Sequence, residues 1–184
     1  MTVTDVATGT DEARVLALVD QLLSELDPRE VPAKEFLGRQ FDLGLAWVHH
    51  PEGLGGLGLA PKLQRLINER VFAAGAVNPM MVNPMGYGMG APTIATHGSV
   101  EQQRRYLRPI FTCEELWCQM FSEPGAGSDV AGLATKAVRD GDEWVINGQK
   151  VWTSLAHLAR WGMLLARTDP DLPKHKGMSY FVID

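Results

Sequence analysis

"MFSEPGAGSDVAGLATKAVRDGDEWVINGQKVWTS" spans residues 120–154, and it marks where the pattern of the chain changes. Beyond its opening loop, the turn dipeptides Asp140-Gly141 and Asn147-Gly148 separate short β-prone runs. Two such signals this close together predict a β-meander. "RWGMLLART" (160–168) and "KGMSYFVID" (176–184) predict two further strands, joined by a polar, proline-containing connection. Leading into the stretch, "LWCQMF" (116–121) is a short apolar run without helical caps.

Upstream the pattern is helical. In "DEARVLALVDQLLSELD" (11–27), Val15, Leu18, Val19, Leu22, Leu23 and Leu26 make one apolar face. "VPAKEFLGRQFDLGLA" (31–46) is a shorter helix pattern. "PKLQRLINERVFAAGA" (61–76) starts on Pro61 and sets Leu63, Leu66, Ile67 and Val71 on one side. The glycine-dense "PEGLGGLGLA" (51–60) between them predicts a loop. Ser99 with Gln102 three residues on predicts a capping-box helix start, and Pro109 is expected to limit that helix. Helices first and strands second define an α+β chain rather than a βαβ one. The expected organisation is a helical domain over 1–115 and a β-domain over 116–184. A last strand-like run at residue 184 would leave an open sheet edge, so a longer protein is expected.

Composition narrows the function classes. Seventeen basic against 22 acidic residues give a net charge of −5, which argues against a general nucleic-acid binder. Cys113 and Cys118, the two cysteines, lack the second pair or nearby histidines that a metal site needs. They are read as reduced thiols, with no metal expected. "MTVTDVATGTDEAR" (1–14) has no leader pattern, and no apolar run approaches the roughly 18 residues of a membrane span. A cytoplasmic protein without a membrane partner is expected.

The loop "EPGAGSD" (123–129) fails both common phosphate motifs. A dinucleotide fingerprint needs glycine where Val130 stands, and a helix after it. A P-loop needs Gly-Lys-Ser/Thr. Two readings stay open from chemistry alone: a plain strand connection, or a small anion site made by backbone N–H groups around Gly125 and Gly127 with the Ser128 hydroxyl.

The quoted stretch strongly resembles the acyl-CoA dehydrogenase family, and the similarity runs from roughly residue 40 to the end. E-P-G-A-G-S-D followed about twenty residues later by N-G-x-K-x-W carries it. "GLGGLGLA" (53–60) and "APTIATHGSVEQQRRYLRPI" (91–110) are similar to further family segments. The resemblance implies an N-terminal helical domain followed by an antiparallel β-sandwich or barrel domain, incomplete here. A C-terminal helical bundle is expected in the full-length protein, outside these 184 residues. It also implies FAD as cofactor and a dimer or tetramer.

By that resemblance, the strand entering the loop (Gln119, Met120, Phe121, Ser122) lies along the flavin. Gln119 then acts through its backbone, and the Ser122 hydroxyl is retained from the family pattern. Gly127 and Ser128 contribute to the cofactor site, and Ser128 also approaches the acyl-CoA substrate. Trp152, Thr153 and Ser154 form the second flavin segment, with Trp152 packing on the ring system and Ser154, rather than Thr153, in the hydroxyl role. Within the chain alone nothing separates Trp152 from Trp144 or Trp161. Leu155-Ala156-His157 departs from the family's usual Asn-Gly, and His157, His49 and His50 are assigned no catalysis. The small residues of "NPMGYGMGAP" (83–92) either line an acyl pocket or permit close helix packing.

The implied reaction is α,β-dehydrogenation of an acyl-CoA thioester to the trans-2-enoyl-CoA, with electrons passed to an electron-transferring flavoprotein. A carboxylate takes the α-proton while donors stabilise the developing enolate, as in an oxyanion hole. In the family that base is a glutamate of the C-terminal domain, so no catalytic residue is assigned here, and neither Glu123 nor Asp129 is promoted to the role. Alternatives are an acyl-CoA oxidase or flavin monooxygenase of the same fold, a non-catalytic flavin-binding subunit of a mixed oligomer, and an anion-binding β-domain without redox function.

Overall fold

A computed structural model describes the backbone of residues 3–184 and the side chains from residue 9. Residues 1 and 2, where the stretch read for a leader begins, lie outside it. The chain divides into two compact units, one ending at Glu114 and the other running Glu115–Asp184.

The first unit is helical: α1 (Val3–Glu25), α2 (Ala33–Asp42), α3 (Gln64–Ala73), α4 (Pro79–Val82), α5 (Ala91–His97) and α6 (Val100–Phe111). Its core is assembled from the apolar faces legible in the sequence. Val15, Val19 and Leu22 of α1 meet Phe36 of α2 and Leu63, Ile67 and Val71 at α3, while Leu18, Leu23, Leu26 and Leu66 pack at its margin. Each such buried side chain contributes roughly 1.5–3 kcal/mol relative to exposure. Pro61 opens a 3₁₀ turn that feeds α3. A second, aromatic cluster joins Phe41, Trp47, Tyr87 and Phe111, with ring centroids 5.2–6.3 Å apart.

The capping box forms as expected: Ser99 accepts from the Gln102 N–H, and the Gln102 side chain accepts from the Ser99 N–H. Pro109, however, does not end α6, which continues to Phe111. A proline there removes an intrahelical donor, but the turn still closes beyond it, where the Thr112 N–H reaches the Arg108 carbonyl. In "NPMGYGMGAP", residues Gly86–Gly90 form a π-helical turn. A Cβ on Gly86 would sit 2.5 Å from the Asn83 side chain, so at that position smallness serves close packing.

The second unit is a five-stranded sheet: β1 (Trp117–Met120), β2 (Lys136–Asp140), β3 (Glu143–Asn147), β4 (Trp161–Arg167) and β5 (Met178–Ile183). Helices followed by a sheet make the chain α+β. Within the sheet the order is β1-β4-β2-β3, with β5 on the other partner side of β4. This corrects both the meander and the wholly antiparallel pairing expected above. β2–β3 and β4–β5 are antiparallel, but β1–β4 and β2–β4 are parallel. Asp140-Gly141 does open a tight hairpin, with Gly141 at φ +60°. Asn147-Gly148 opens none, and residues 148–153 form no strand. A turn dipeptide reports only local reversal, whereas a parallel pair needs a long crossover that leaves no short-range mark. That crossover, from β1 to β4, carries every candidate site residue beyond Met120.

Candidate functional site

The loop after β1 closes on itself. The Glu123 and Ala126 backbones exchange two hydrogen bonds, at 2.8 and 3.1 Å, so two N–H groups are already spent on the turn. A 3₁₀ turn, Val130–Gly132, follows. Asp129 is exposed and pairs with Lys174 at 2.7 Å. Arg167, at the end of β4, donates to the carbonyls of Ala131, Leu133 and Lys174, which ties down the far side of the loop.

Gly125 and Gly127 have neither positive φ nor any atom within 4 Å of an added Cβ. Their smallness is therefore not required by this chain's own folding. Gly127→Ala is expected to change the folding free energy of the apoprotein by less than about 1 kcal/mol while weakening flavin binding; urea unfolding and FAD titration check the two halves separately.

The two segments singled out from sequence meet here. The Val151 N–H donates to the Ser122 carbonyl at 2.9 Å, which sets Trp152–Ser154 beside the exit of β1. Trp152 and Leu155 both have left-handed backbone, at φ +59° and +66°. For side chains of this size that conformation costs on the order of 1–2 kcal/mol each, and such outliers concentrate at functional sites. The Trp152 side chain is 88% exposed. Trp117 is buried, Trp144 packs edge-on against Phe181, and Trp161 lies over Trp117. The structure thus separates tryptophans that the sequence left equivalent.

Not every candidate presents its side chain. Met120 packs on the sheet, its Sδ only 2.7 Å from a Cβ placed on Gly162. The Phe121 ring meets Tyr180 edge-on. Gln119 and Thr153 are half-buried, and Ser128 and Ser154 are exposed. The hydroxyls of Ser122 and Ser128 make no hydrogen bond among the described residues. His157 and His49 are exposed, whereas His50 is buried in the first unit, where desolvation lowers its pKa to about 4 and keeps it neutral.

What sequence reasoning missed is Lys150. Its ammonium donates to Glu123 Oε1 at 2.8 Å and to the Phe121 carbonyl at 3.0 Å. Both side chains are nearly closed to solvent, at 5% and 6% exposure. Glu123 also accepts from the Ala134 and Thr135 N–H groups, at 2.6 and 2.9 Å. Burial pushes the Glu123 pKa up, but the bonds from Lys150, Thr135 and Ala134 outweigh it and hold the carboxyl at about 2. A carboxylate so strongly stabilised is a poor proton acceptor. The available signal for Lys150 was its place in N-G-x-K-x-W, two residues before Trp152.

Two family models match the chain: the acyl-CoA dehydrogenase N-terminal domain over residues 13–114 and the acyl-CoA dehydrogenase middle domain over residues 118–184. The chain belongs to the acyl-CoA dehydrogenase family. It is 48% identical over 179 residues to acyl-CoA dehydrogenase FadE34 of Mycobacterium tuberculosis, covering 96% of this chain and 24% of the relative. The solved Tcur3481-Tcur3483 steroid ACAD superimposes with a TM-score of 0.63 at 32% identity, covering 96% of this chain and 47% of that one. The ChsE4-ChsE5 complex from Mycobacterium tuberculosis gives 0.62 at 32% identity, over 100% and 47%. The chain therefore spans about a quarter of that curated acyl-CoA dehydrogenase and about half of either solved chain.

FAD is the cofactor of acyl-CoA dehydrogenases, and the residues present fit it. An exposed indole on strained backbone offers a face to a planar ring. Two glycines leave room for close approach, and the Ser122 and Ser128 hydroxyls offer polar contacts.

Proposed function

We propose that the intact protein catalyses α,β-dehydrogenation of an acyl-CoA thioester to the trans-2-enoyl-CoA, passing electrons to an electron-transferring flavoprotein. The observation that carries this reading is the bond from the Val151 N–H to the Ser122 carbonyl. It holds the two flavin segments of an acyl-CoA dehydrogenase side by side. Bound FAD supplies the two-electron acceptor chemistry, and the protein supplies position and electrostatics. In this reading Gln119, Met120, Phe121 and Ser122 present backbone groups and one hydroxyl to the flavin edge. Trp152 covers the ring, with Thr153 and Ser154 beside it. Gly127 and Ser128 bound the cofactor, and Ser128 also meets the thioester's pantetheine arm. By the family pattern the α-proton goes to a glutamate of the C-terminal domain, and Glu123 is given no part in it, its oxygens being bonded to Lys150, Ala134 and Thr135.

A cytoplasmic homo-oligomer completes the proposal. The two free thiols suit a reducing compartment, and no described helix is long and apolar enough to cross a membrane. A mixed oligomer is a second reading, favoured by the similarity to the ChsE4-ChsE5 complex. The solved steroid ACAD that this chain is similar to makes a steroid-bearing thioester a leading compound to try.

The test is anaerobic titration of the purified yellow protein with straight-chain, branched and steroid-bearing acyl-CoA thioesters. Bleaching of the flavin by one of them is the expected result. A flavin that stays oxidised with all of them sinks the reading, and bleaching only after a partner subunit is added favours the mixed oligomer.

A further inference from the structure

We propose that Glu123 and Lys150 are positioning residues for the flavin site, a buried clamp that sets the distance between segments 119–122 and 151–154. The inference rests on the flavin reading above but concerns residues to which that reading gives no role. Lys150 reaches across to the β1 side twice, through Glu123 Oε1 and through the Phe121 carbonyl. One residue further on, the Val151 N–H takes the Ser122 carbonyl. Three bonds therefore join two short segments that share no ladder of strand pairing. Glu123 in turn holds the Ala134 and Thr135 N–H groups, which fixes where the chain leaves the loop before β2.

The geometry explains why the pair is ionic and buried. A buried ion pair is a poor source of net stability, because desolvation offsets most of its attraction. It is, however, directional: an ammonium with two fixed acceptors and a carboxylate with three fixed donors allow one arrangement. An apolar pair of the same volume would fill the space while letting the segments slide. A misplacement on the order of 1 Å at a cofactor site is enough to cost function. The left-handed turn at Trp152 follows Lys150 by two residues, so the clamp also anchors the start of that strained segment.

The experiment uses the intact holoprotein and the variants Lys150→Met, Lys150→Arg and the double variant Glu123→Gln/Lys150→Met. The last removes both charges and keeps the volume where the single change does not fold. Three quantities are read: the FAD dissociation constant from titration of the apoprotein, hydrogen exchange over 119–123 and 150–155, and the thermal midpoint. The expected result is FAD binding weakened at least about tenfold in both Met-containing variants, with faster exchange confined to those two segments and partial rescue by Lys150→Arg. FAD affinity within twofold of wild type in the double variant, whatever its thermal midpoint, overturns the clamp. A wild-type protein that binds no FAD overturns the flavin reading itself, and that shows before any variant is made.

Discussion

Glu123→Ala is expected to cost about 3–5 kcal/mol of folding free energy, more than Lys150→Met at the other end of the same pair. The asymmetry follows from what each change leaves behind. Without Glu123, the Lys150 ammonium stays buried against a single carbonyl, and the Ala134 and Thr135 N–H groups lose their acceptor. Without Lys150, the carboxylate keeps both backbone donors. Depression of the Glu123 carboxyl from 4.5 to about 2 corresponds to about 3 kcal/mol, since each unit is worth 1.36 kcal/mol. The side chain is only 6% exposed, so solvent screening takes little from that figure. Because the folded pKa lies below the unfolded one, this contribution is present above pH 4.5 and fades as pH falls toward about 2. Urea unfolding from pH 7 downward checks it. Wild type should lose its advantage over Glu123→Gln through that acid window, and a pH-independent difference between the two would contradict the assignment.

Gly56→Ala is the second large effect, expected at about 3 kcal/mol. Gly56 does not have positive φ, so its requirement is space. An added Cβ would lie 2.1 Å from the His50 carbonyl oxygen and 2.5 Å from that of Trp47. These are backbone atoms held in place: the Gly58 N–H bonds to the His50 carbonyl, and the His50 N–H bonds to the Trp47 carbonyl. No side-chain rotation relieves the contact. Gly53 is the control, with φ +79° and nothing within 4 Å of an added Cβ. Gly53→Ala should cost only the left-handed backbone, about 1–2 kcal/mol. Chemical denaturation of both variants orders the two costs, and an equal or reversed order would show that the loop yields where the contacts say it cannot.

The two glycine-rich stretches looked alike in sequence and differ in what they are for. In "PEGLGGLGLA" the glycines answer to the chain itself: a Cβ added at Gly55 or Gly56 would lie 2.5 Å from the Phe41 ring or 2.1 Å from the His50 carbonyl oxygen. In "EPGAGSD" they answer to nothing in the chain. That difference is invisible in composition, because it depends on what arrives from residues far away in sequence. The same holds for His49 and His50, adjacent and equivalent on paper, of which only His50 is buried.

The sequence by itself determined the division into helices and strands, the apolar faces of α1 and α3, the capping box of α6 and the family. All of these rest on periodicity, local hydrogen bonding or residue motifs, which are properties of neighbouring residues. It also marked the two segments proposed to hold the flavin, through motifs about twenty residues apart. Only the tertiary structure decided that β1 and β4 run parallel, that Trp152 is far more exposed than Trp144, and that Lys150 closes onto Glu123 and Phe121. Those depend on a crossover of about forty residues, and burial turns an ordinary lysine and glutamate into a fixed pair. A charged side chain in a sequence reads as solvated surface; only its packing shows that water has been excluded and that a partner must take water's place.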